Sequence, residues 1–293
     1  MTSKNLTITG YSTALFSTWF FIEELGLLFD AGDGLTAGLL QKSRKIKHVF
    51  VSHADRDHLM GLFQFNQLNA RPNFPVIHYP ADNGSFPHIA EFVKNFDPHV
   101  NGTVWKPIRE NQEYFFKDSH YVEPIKNGHI DQADGVTKSL SFKVFKTKRK
   151  LKAEFLHLDG KDIAKLIAEH GQDYATKRVN TNILGYSGDT PIEDYDRWDG
   201  TEILIHEATF LRDEMMEIRK KNKHSQLEEV IKMVAEIEVE QLILSHFSSR
   251  YSGEEIDEYI VRLCQKYGLK IPVFRVLPGE IGRDILNGQP IHC

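Results

Sequence analysis

The sequence predicts an α/β fold, a four-layer αββα sandwich in which two β-sheets are flanked by helices and a functional site runs along one edge. Apolar runs with strand-like patterning recur from residue 6 to residue 276, interspersed with segments whose apolar residues follow helical spacing. These strands end repeatedly on His or Asp, at Asp30, His53, His129, Asp189, His206 and His246, so polar side chains collect on one edge. There is no internal repeat at a fixed period, no low-complexity tract and no Pro/Ser-rich linker. A chain of 293 residues can bury one large core, so residues 1–293 are expected to form a single domain.

Composition narrows the function classes. Lys+Arg number 36 against 41 Asp+Glu, a net charge of −5, which argues against gripping nucleic acid by bulk charge and leaves room for a local basic patch. Only Cys264 and Cys293 carry thiols, so neither a disulfide framework nor a thiolate zinc site is implied and a reducing compartment is expected. The first residues, MTSKNLTITG, lack a charged segment followed by an apolar one, and no run approaches a membrane span. A soluble, cytoplasmic protein with no membrane partner is expected.

In chain order, residues 6–9 and 19–22 read as strands, and GLLFD at 26–30 is a third apolar run ending in Asp-Ala-Gly-Asp-Gly. Asp30 and Asp33 in that turn either hydrogen-bond a metal-bound imidazole or serve the turn alone. A short helix over 36–43 precedes the strand 48–51, which runs into SHADRDHLMG. Residues 58–70 place Leu59, Leu62, Phe63, Phe65 and Leu68 at helical spacing. Residues 75–79 form a buried strand, and 86–96 a helix ended by Asp97-Pro98. His78, His88, His99 and His120 fit no ligand constellation and read as structural or solvated. Residues 114–117, 121–126 and 140–146 alternate as antiparallel strands do, with Asn127-Gly128-His129-Ile130 between the last two. The basic run Lys146, Lys148, Arg149, Lys150 and Lys152 reads as a solvated turn or an anion-binding segment.

An amphipathic helix over 162–170 leads to the strand 181–186 and to Ser187-Gly188-Asp189, where glycine permits a tight turn and Asp189 stands at its tip. A carboxylate there can bridge two cations. The strand 202–205 ends in His206-Glu207-Ala208-Thr209-Phe210, followed by a helix over 212–221. The basic residues Arg219, Lys220, Lys221 and Lys223 then lead to His224-Ser225, with Ser225 as N-cap of a helix over 226–237. The strand 241–245 ends at His246, and a helix over 253–267 and a strand over 272–276 close the chain.

SHADRDHLMG is the segment around which this pattern is organised. It packs His53, Asp55, Asp57 and His58 into six residues after an apolar run. Alternate side chains share a face of an extended segment, so His53, Asp55 and Asp57 can converge while His58 opens the next helix toward a second centre. That geometry suits two adjacent cations.

Taken together, SHADRDH, His129, YSGDT, HEATF, KHS and LSHFSSRY resemble the metallo-β-lactamase fold superfamily and, within it, the ribonuclease Z (tRNA 3′-endonuclease) branch, over most of the chain. The resemblance implies that His53, Asp55 and His129 hold one metal, that Asp57, His58 and His246 hold a second, and that Asp189 lies between them. Glu207 and His224 match the pair that protonates the leaving group. It also implies two divalent ions, zinc in the family, a phosphodiester or RNA substrate, and a homodimer.

The chemistry agrees with that assignment. Two cations about 3.5 to 4 Å apart acidify a bridging water and neutralise charge building on a phosphoryl group. Asp57 is placed to accept or orient the water proton, and His224 paired with Glu207 to act as general acid. Two departures from the family pattern matter. Where His-x-His-x-Asp-His is usual, this chain has Asp55 in place of the second histidine, and an oxygen ligand favours harder cations such as manganese or iron over zinc. Either Asp55 binds and shifts metal preference, or Arg56 pairs with it and weakens that site. The interval 151–180 also contains no Gly/Pro-rich tRNA-clamping arm, and YSTALFSTWF lacks the polar, proline-containing start of the branch. A dinuclear metal-dependent phosphodiesterase is therefore expected, with tRNA less supported as substrate than phosphodiester hydrolysis itself. Hydrolysis of a small ester, lactone or thioester and a catalytically silent RNA-binding relative are the alternatives.

Overall fold

Strict alternation along the strands decides how the layers stack. The computed structural model describes residues 6–117, 119–212 and 223–293; the helix expected over 212–221 lies, from residue 213 on and with Arg219, Lys220 and Lys221, outside them. The first half of the chain builds one sheet from β1 (Ile8–Thr13), β2 (Ser17–Ile22), β3 (Leu27–Phe29), β4 (His48–Phe50), β5 (Val76–Pro80) and β6 (Val104–Ile108). Between them lie α1 (Leu35–Leu39), α2 (Arg56–Leu59), α3 (Leu62–Asn69) and α4 (Ser85–Phe96). The second sheet comprises β7 (Tyr114–Lys117), β8 (His120–Lys126), β9 (Leu140–Leu151), β10 (Thr176–Tyr186), β11 (Thr201–Glu207), β12 (Val239–Ser245) and β13 (Val273–Arg275). Helices α5 (Gly160–His170), α6 (Gln172–Ala175), α7 (Leu227–Glu236) and α8 (Gly253–Tyr267) accompany it, and β14 (Ile281–Gly282) returns to pair with β1 in the first sheet.

In spatial order the sheets run β14-β1-β2-β3-β4-β5-β6 and β13-β12-β11-β10-β9-β8-β7. Each is antiparallel on one side and parallel on the other, with the parallel part starting at the β3–β4 and β10–β11 pairs. Phe20, Ile22, Leu27 and Phe29 face Phe142, Val144, Leu184, Tyr186, Ile203 and Ile205 in the core between the sheets. Their neighbours Trp19, Phe21 and Leu28 point the other way, onto Leu35, Leu62, Phe65 and Phe86 of the first helical layer. On the opposite side Leu204, Leu242 and Leu244 pack against Val230, Ile231 and Val234 of α7 and Ile256, Ile260 and Leu263 of α8. This is the expected four-layer order.

Several boundaries differ from the sequence reading. The helix expected over 58–70 is divided at Gly61 into α2 and α3, where the Gly61 N–H leaves the helical pattern to donate to the Ala31 carbonyl, and a Cβ there would come within 2.1 Å of the Gly32 carbonyl oxygen. Ser225 is not the N-cap of α7: its hydroxyl donates to the Thr190 carbonyl, and Gln226 caps the helix in a box with Glu229. The strand β6 went unrecognised because Pro107 and exposed positions interrupt its apolar pattern.

The basic run is not a turn, since β9 continues through it to Leu151. Beyond Lys146, where β8 stops pairing, β9 and β10 continue alone as a two-stranded ribbon in register from Thr147↔Asn180 to Leu151↔Thr176. Helices α5 and α6 sit at its far end, and no residue of α5 is buried. The interval 151–180 thus holds a projecting ribbon and helices instead of a Gly/Pro-rich arm. Among the described residues no helix is long and apolar enough to cross a membrane.

The contact between the sheets depends on stacked aromatics. Phe29 lies between Tyr186, 4.9 Å away between centroids, and Phe142, 5.6 Å away. Truncating Phe142, which is fully buried, to alanine should cost about 3–5 kcal/mol, read as a lower urea midpoint; an unchanged midpoint would show that the two sheets do not rely on this stack.

Candidate metal centre

Strand ends of both sheets deliver the site. Asp30 follows β3, Ser52 and His53 follow β4, and His58 sits in the first turn beyond; from the other sheet, Asp189 follows β10, Glu207 ends β11 and His246 follows β12. Asp30 and His246 both adopt left-handed backbone, φ 53° and 61°, which residues other than glycine seldom take and which is concentrated at functional sites. Gly188, φ 57°, makes the turn before Asp189, and a Cβ there would lie 2.9 Å from the Ser52 Cβ. Glycine is needed here both for its conformation and for room beside the residue that holds His53.

Asp189 is buried at the centre. Its Oδ2 lies 3.2 Å from His58 Nε2, 3.8 Å from His53 Nε2 and 3.9 Å from His224 Nδ1, and its Oδ1 lies 3.4 Å from His246 Nε2. Asp57 Oδ2 is 3.6 Å from the Nε2 atoms of His58 and His246. Asp55 Oδ2 is 3.6 Å from those of His53 and His129. All nine residues singled out in the sequence meet here. Ligand atoms of Asp57, His58, Asp189 and His246 lie within 4.8 Å of one another, as do those of His53, His129 and Asp189, and those of Glu207, His224 and His246. Asp55 faces the two histidines and stays exposed at the rim, its side chain 59% accessible.

Hydrogen-bond direction explains why these imidazoles present Nε2 inward. His58 Nδ1 donates to Asp30 at 2.8 Å. The Ser52 hydroxyl donates to the same carboxylate at 2.9 Å and so accepts from His53 Nδ1, also at 2.9 Å. Likewise the Thr209 hydroxyl donates to Glu207 at 2.6 Å and accepts from His246 Nδ1 at 2.9 Å. With Nδ1 protonated in each ring, Nε2 offers a lone pair, and in all three it is buried without a hydrogen-bond partner among the described residues. Such orphaned inward nitrogens beside acidic oxygens fit divalent cations.

The electrostatics point the same way. Burial lowers the His58 pKa, yet Asp189, Asp30 and Asp57 outweigh it and hold the value well above the ordinary imidazole range, so the pocket favours positive charge at that ring. Burial raises Asp189, but His246 and His58 bring it well below the usual carboxylate value. Hydrogen bonding to His129, then His53, lowers Asp55. For His224 burial works downward, but Glu207, 3.0 Å from Nδ1, and then Asp189 push it up to about 9. Glu207 is buried, not an exposed carboxylate, and accepts from the backbone N–H groups of Thr190, Thr209 and Ser225.

Sequence reasoning missed the residues that orient the ligands. Asp30, left open between two roles, proves to hold His58; Asp33 contributes its carbonyl to the Ser17 hydroxyl. Ser52, Thr209 and Tyr186 stand inside SHADRDH, HEATF and YSGDT, where the sequence alone gives them no role, and Tyr186 donates to Asp30 at 2.5 Å. His206 turns away, its Nδ1 on the Glu207 carbonyl at 2.7 Å. His78 stacks on Phe50 at 4.0 Å, outside the site.

The comparisons with known proteins agree with this geometry. Residues 27–247 match a beta-lactamase superfamily domain. The chain is 26% identical over 284 residues to the chloroplastic tRNase Z TRZ2 of Arabidopsis thaliana, covering 92% of this chain and 75% of that one. It is 28% identical over 288 residues to ribonuclease Z of Pyrococcus furiosus, covering 89% of each. The fold matches the metallo-β-lactamase fold protein YhfI from Bacillus subtilis with a TM-score of 0.64 at 14% identity, over 94% of this chain and 98% of that one. The matched span opens on β3, which delivers Asp30, and ends just past His246, so the metal centre and the family signature coincide: the chain belongs to the beta-lactamase superfamily, in its ribonuclease Z-like branch.

Proposed function

We propose that this metal-dependent hydrolase is a dinuclear phosphodiesterase acting on RNA or a related phosphodiester. The observation that carries the reading is the convergence on one buried carboxylate of three buried Nε2 atoms that have no hydrogen-bond partner among the described residues. In this reading His53, Asp55 and His129 hold one cation, Asp57, His58 and His246 the other, and Asp189 serves both. Two divalent cations there would supply Lewis acidity toward a phosphoryl oxygen and acidify a water. Asp55 adds an oxygen donor at the rim, which moves preference from the zinc of the family toward manganese or iron.

The remaining roles belong to the chain itself. Asp57 Oδ2 accepts the Leu15 backbone N–H at 3.1 Å, which restrains the carboxylate, and in this reading it orients the attacking water and takes its proton. His224, held by Glu207, faces Asp189 across the cleft and donates a proton to the departing oxygen. Arg250, Ser248 and Ser249 line the same cleft, and a guanidinium there favours an anionic phosphodiester over a neutral ester.

The ribbon supports a long anionic substrate. Lys150 stands opposite Lys177 and Arg149 opposite Arg178. Like charges placed directly across a strand pair repel, and although Asp173 pairs with Arg149 and Glu113 with Arg178, Lys150 and Lys177 have no ion-pair partner among the described residues. A phosphate backbone would relieve that repulsion. A cytoplasmic setting suits the two free thiols, Cys264 and Cys293.

Three outcomes are expected. Asp189→Ala should lose metal, measured by elemental analysis, together with turnover of bis-p-nitrophenyl phosphate; full metal content in that variant would refute a shared carboxylate. His224→Ala should keep its metal and lose far more rate on diesters with poor leaving groups than on p-nitrophenyl esters, whereas equal losses would contradict a proton-donor role. Replacing Lys150 and Lys177 together by serine should raise KM for a structured RNA and flatten its salt dependence by about two counterions, with bis-p-nitrophenyl phosphate unaffected; an unchanged salt slope would remove the ribbon from substrate binding.

A further inference from the structure

The tip of the β1–β2 hairpin presents two large apolar side chains to solvent beside the metal centre. Thr13 pairs with Ser17, leaving Ala14, Leu15 and Phe16 as a three-residue loop. Leu15 has φ 71°, a conformation for which glycine or asparagine is the usual choice in such a loop. It is 83% exposed, and Phe16 is 63% exposed. Folding alone explains neither residue, since burial contributes little at those exposures and the backbone would be better served by glycine.

The loop is nevertheless held firmly. The Leu15 N–H donates to Asp57 and the Ala14 N–H to the Phe247 carbonyl at 3.3 Å, so the tip is tied to both segments that deliver the second group of ligands. Leu15 lines the cleft with Asp57, Asp189, Phe210, His224 and Arg250. Phe16 faces the other way, into an adjoining groove of about 500 Å³ that it lines with Tyr11, Trp19, Asp33 and Gly34. A Cβ on Gly34 would meet nothing within 4 Å, so the groove is open on its Gly34 side. A single ridge therefore divides a cleft for an anion from an open groove bordered by Tyr11.

Resting on the phosphodiesterase reading, we propose that Leu15 and Phe16 form a specificity element on which a nucleobase next to the scissile phosphate packs, its ring on Phe16 and its edge toward the groove. The group flanking a nucleic acid phosphate is a nucleoside, whose base offers a flat π-face, and an exposed phenyl ring accepts any base by stacking. The rigid tether to Asp57 fixes the distance from that platform to the reacting phosphate, so the ridge sets which substituent the cleft accepts.

The test compares thymidine 5′-(p-nitrophenyl phosphate) with methyl p-nitrophenyl phosphate, which share a leaving group and differ in the nucleoside. Phe16→Ser should raise KM for the thymidine ester roughly tenfold and leave the methyl ester within about twofold, with kcat for both retained, and Phe16→Tyr should restore the wild-type preference. Binding of a fluorescein-labelled tetrathymidylate to the full chain, followed by anisotropy, reads the same contact without turnover. If the wild type hydrolyses neither ester but Phe16→Ser still weakens tetrathymidylate about tenfold, the platform stands and the phosphodiesterase reading falls. Equal KM effects on both esters, or unchanged tetrathymidylate binding, would overturn the platform. A Phe16→Ser variant that changes only the oligomeric state in size-exclusion chromatography would do the same, by making the tip a contact between copies of the chain.

Discussion

The hydroxyls of Ser52 and Thr209 each sit between a buried carboxylate and an imidazole, and the carboxylates, Asp30 and Glu207, leave them only one direction in which to donate. The proton on each imidazole is thereby confined to Nδ1, and the lone pair to Nε2. His58 reaches the same state directly through Asp30. Without those two carboxylates the three rings could choose either tautomer, and no common centre for cations would be defined. Glu207 takes on a second task, since the same group holds His224 and the loops around Thr190 and Ser225.

The architecture brings these groups together by repeating one device in both sheets. Each sheet changes from antiparallel to parallel beside the site, and loops leaving the parallel strands collect at the same edge. Ligands from loops that far apart in sequence, His53 and His246 among them, would be imprecise unless the strand ends were rigid. The fully buried Phe29, Phe50 and Phe142 beneath them provide that rigidity, and the left-handed Asp30 and His246 show where backbone strain is accepted so that side chains turn inward.

Much of this was legible in the sequence because it is encoded locally. The unbroken apolar run Trp19, Phe20, Phe21 and Ile22 announces a strand, and SHADRDH places four donor groups within six residues. The parts that escaped are those encoded by neighbours in space. Tyr186 stands at the head of YSGDT without a role until the fold puts its hydroxyl on Asp30, and Ser225 looks like an N-cap until Thr190 claims it. The basic run reads as a turn because charged residues seldom continue a strand; they do so here because β10 supplies the pairing without requiring burial. Asp55 remains the residue whose sequence departure has the clearest structural sense: at the rim it faces two histidines while its neighbour Arg56 lies exposed.

The site is therefore asymmetric, with a buried group around Asp57, His58 and His246 and a group around His53 and His129 that opens through Asp55 toward solvent. Asp189 belongs to both. Anomalous diffraction from crystals grown with manganese, recorded on both sides of the metal edge, addresses that arrangement most directly. Two peaks are expected, flanking Asp189 and within bonding distance of the Nε2 atoms of His53, His58 and His246; density bound through Nδ1, or ions lying away from Asp189, would contradict it.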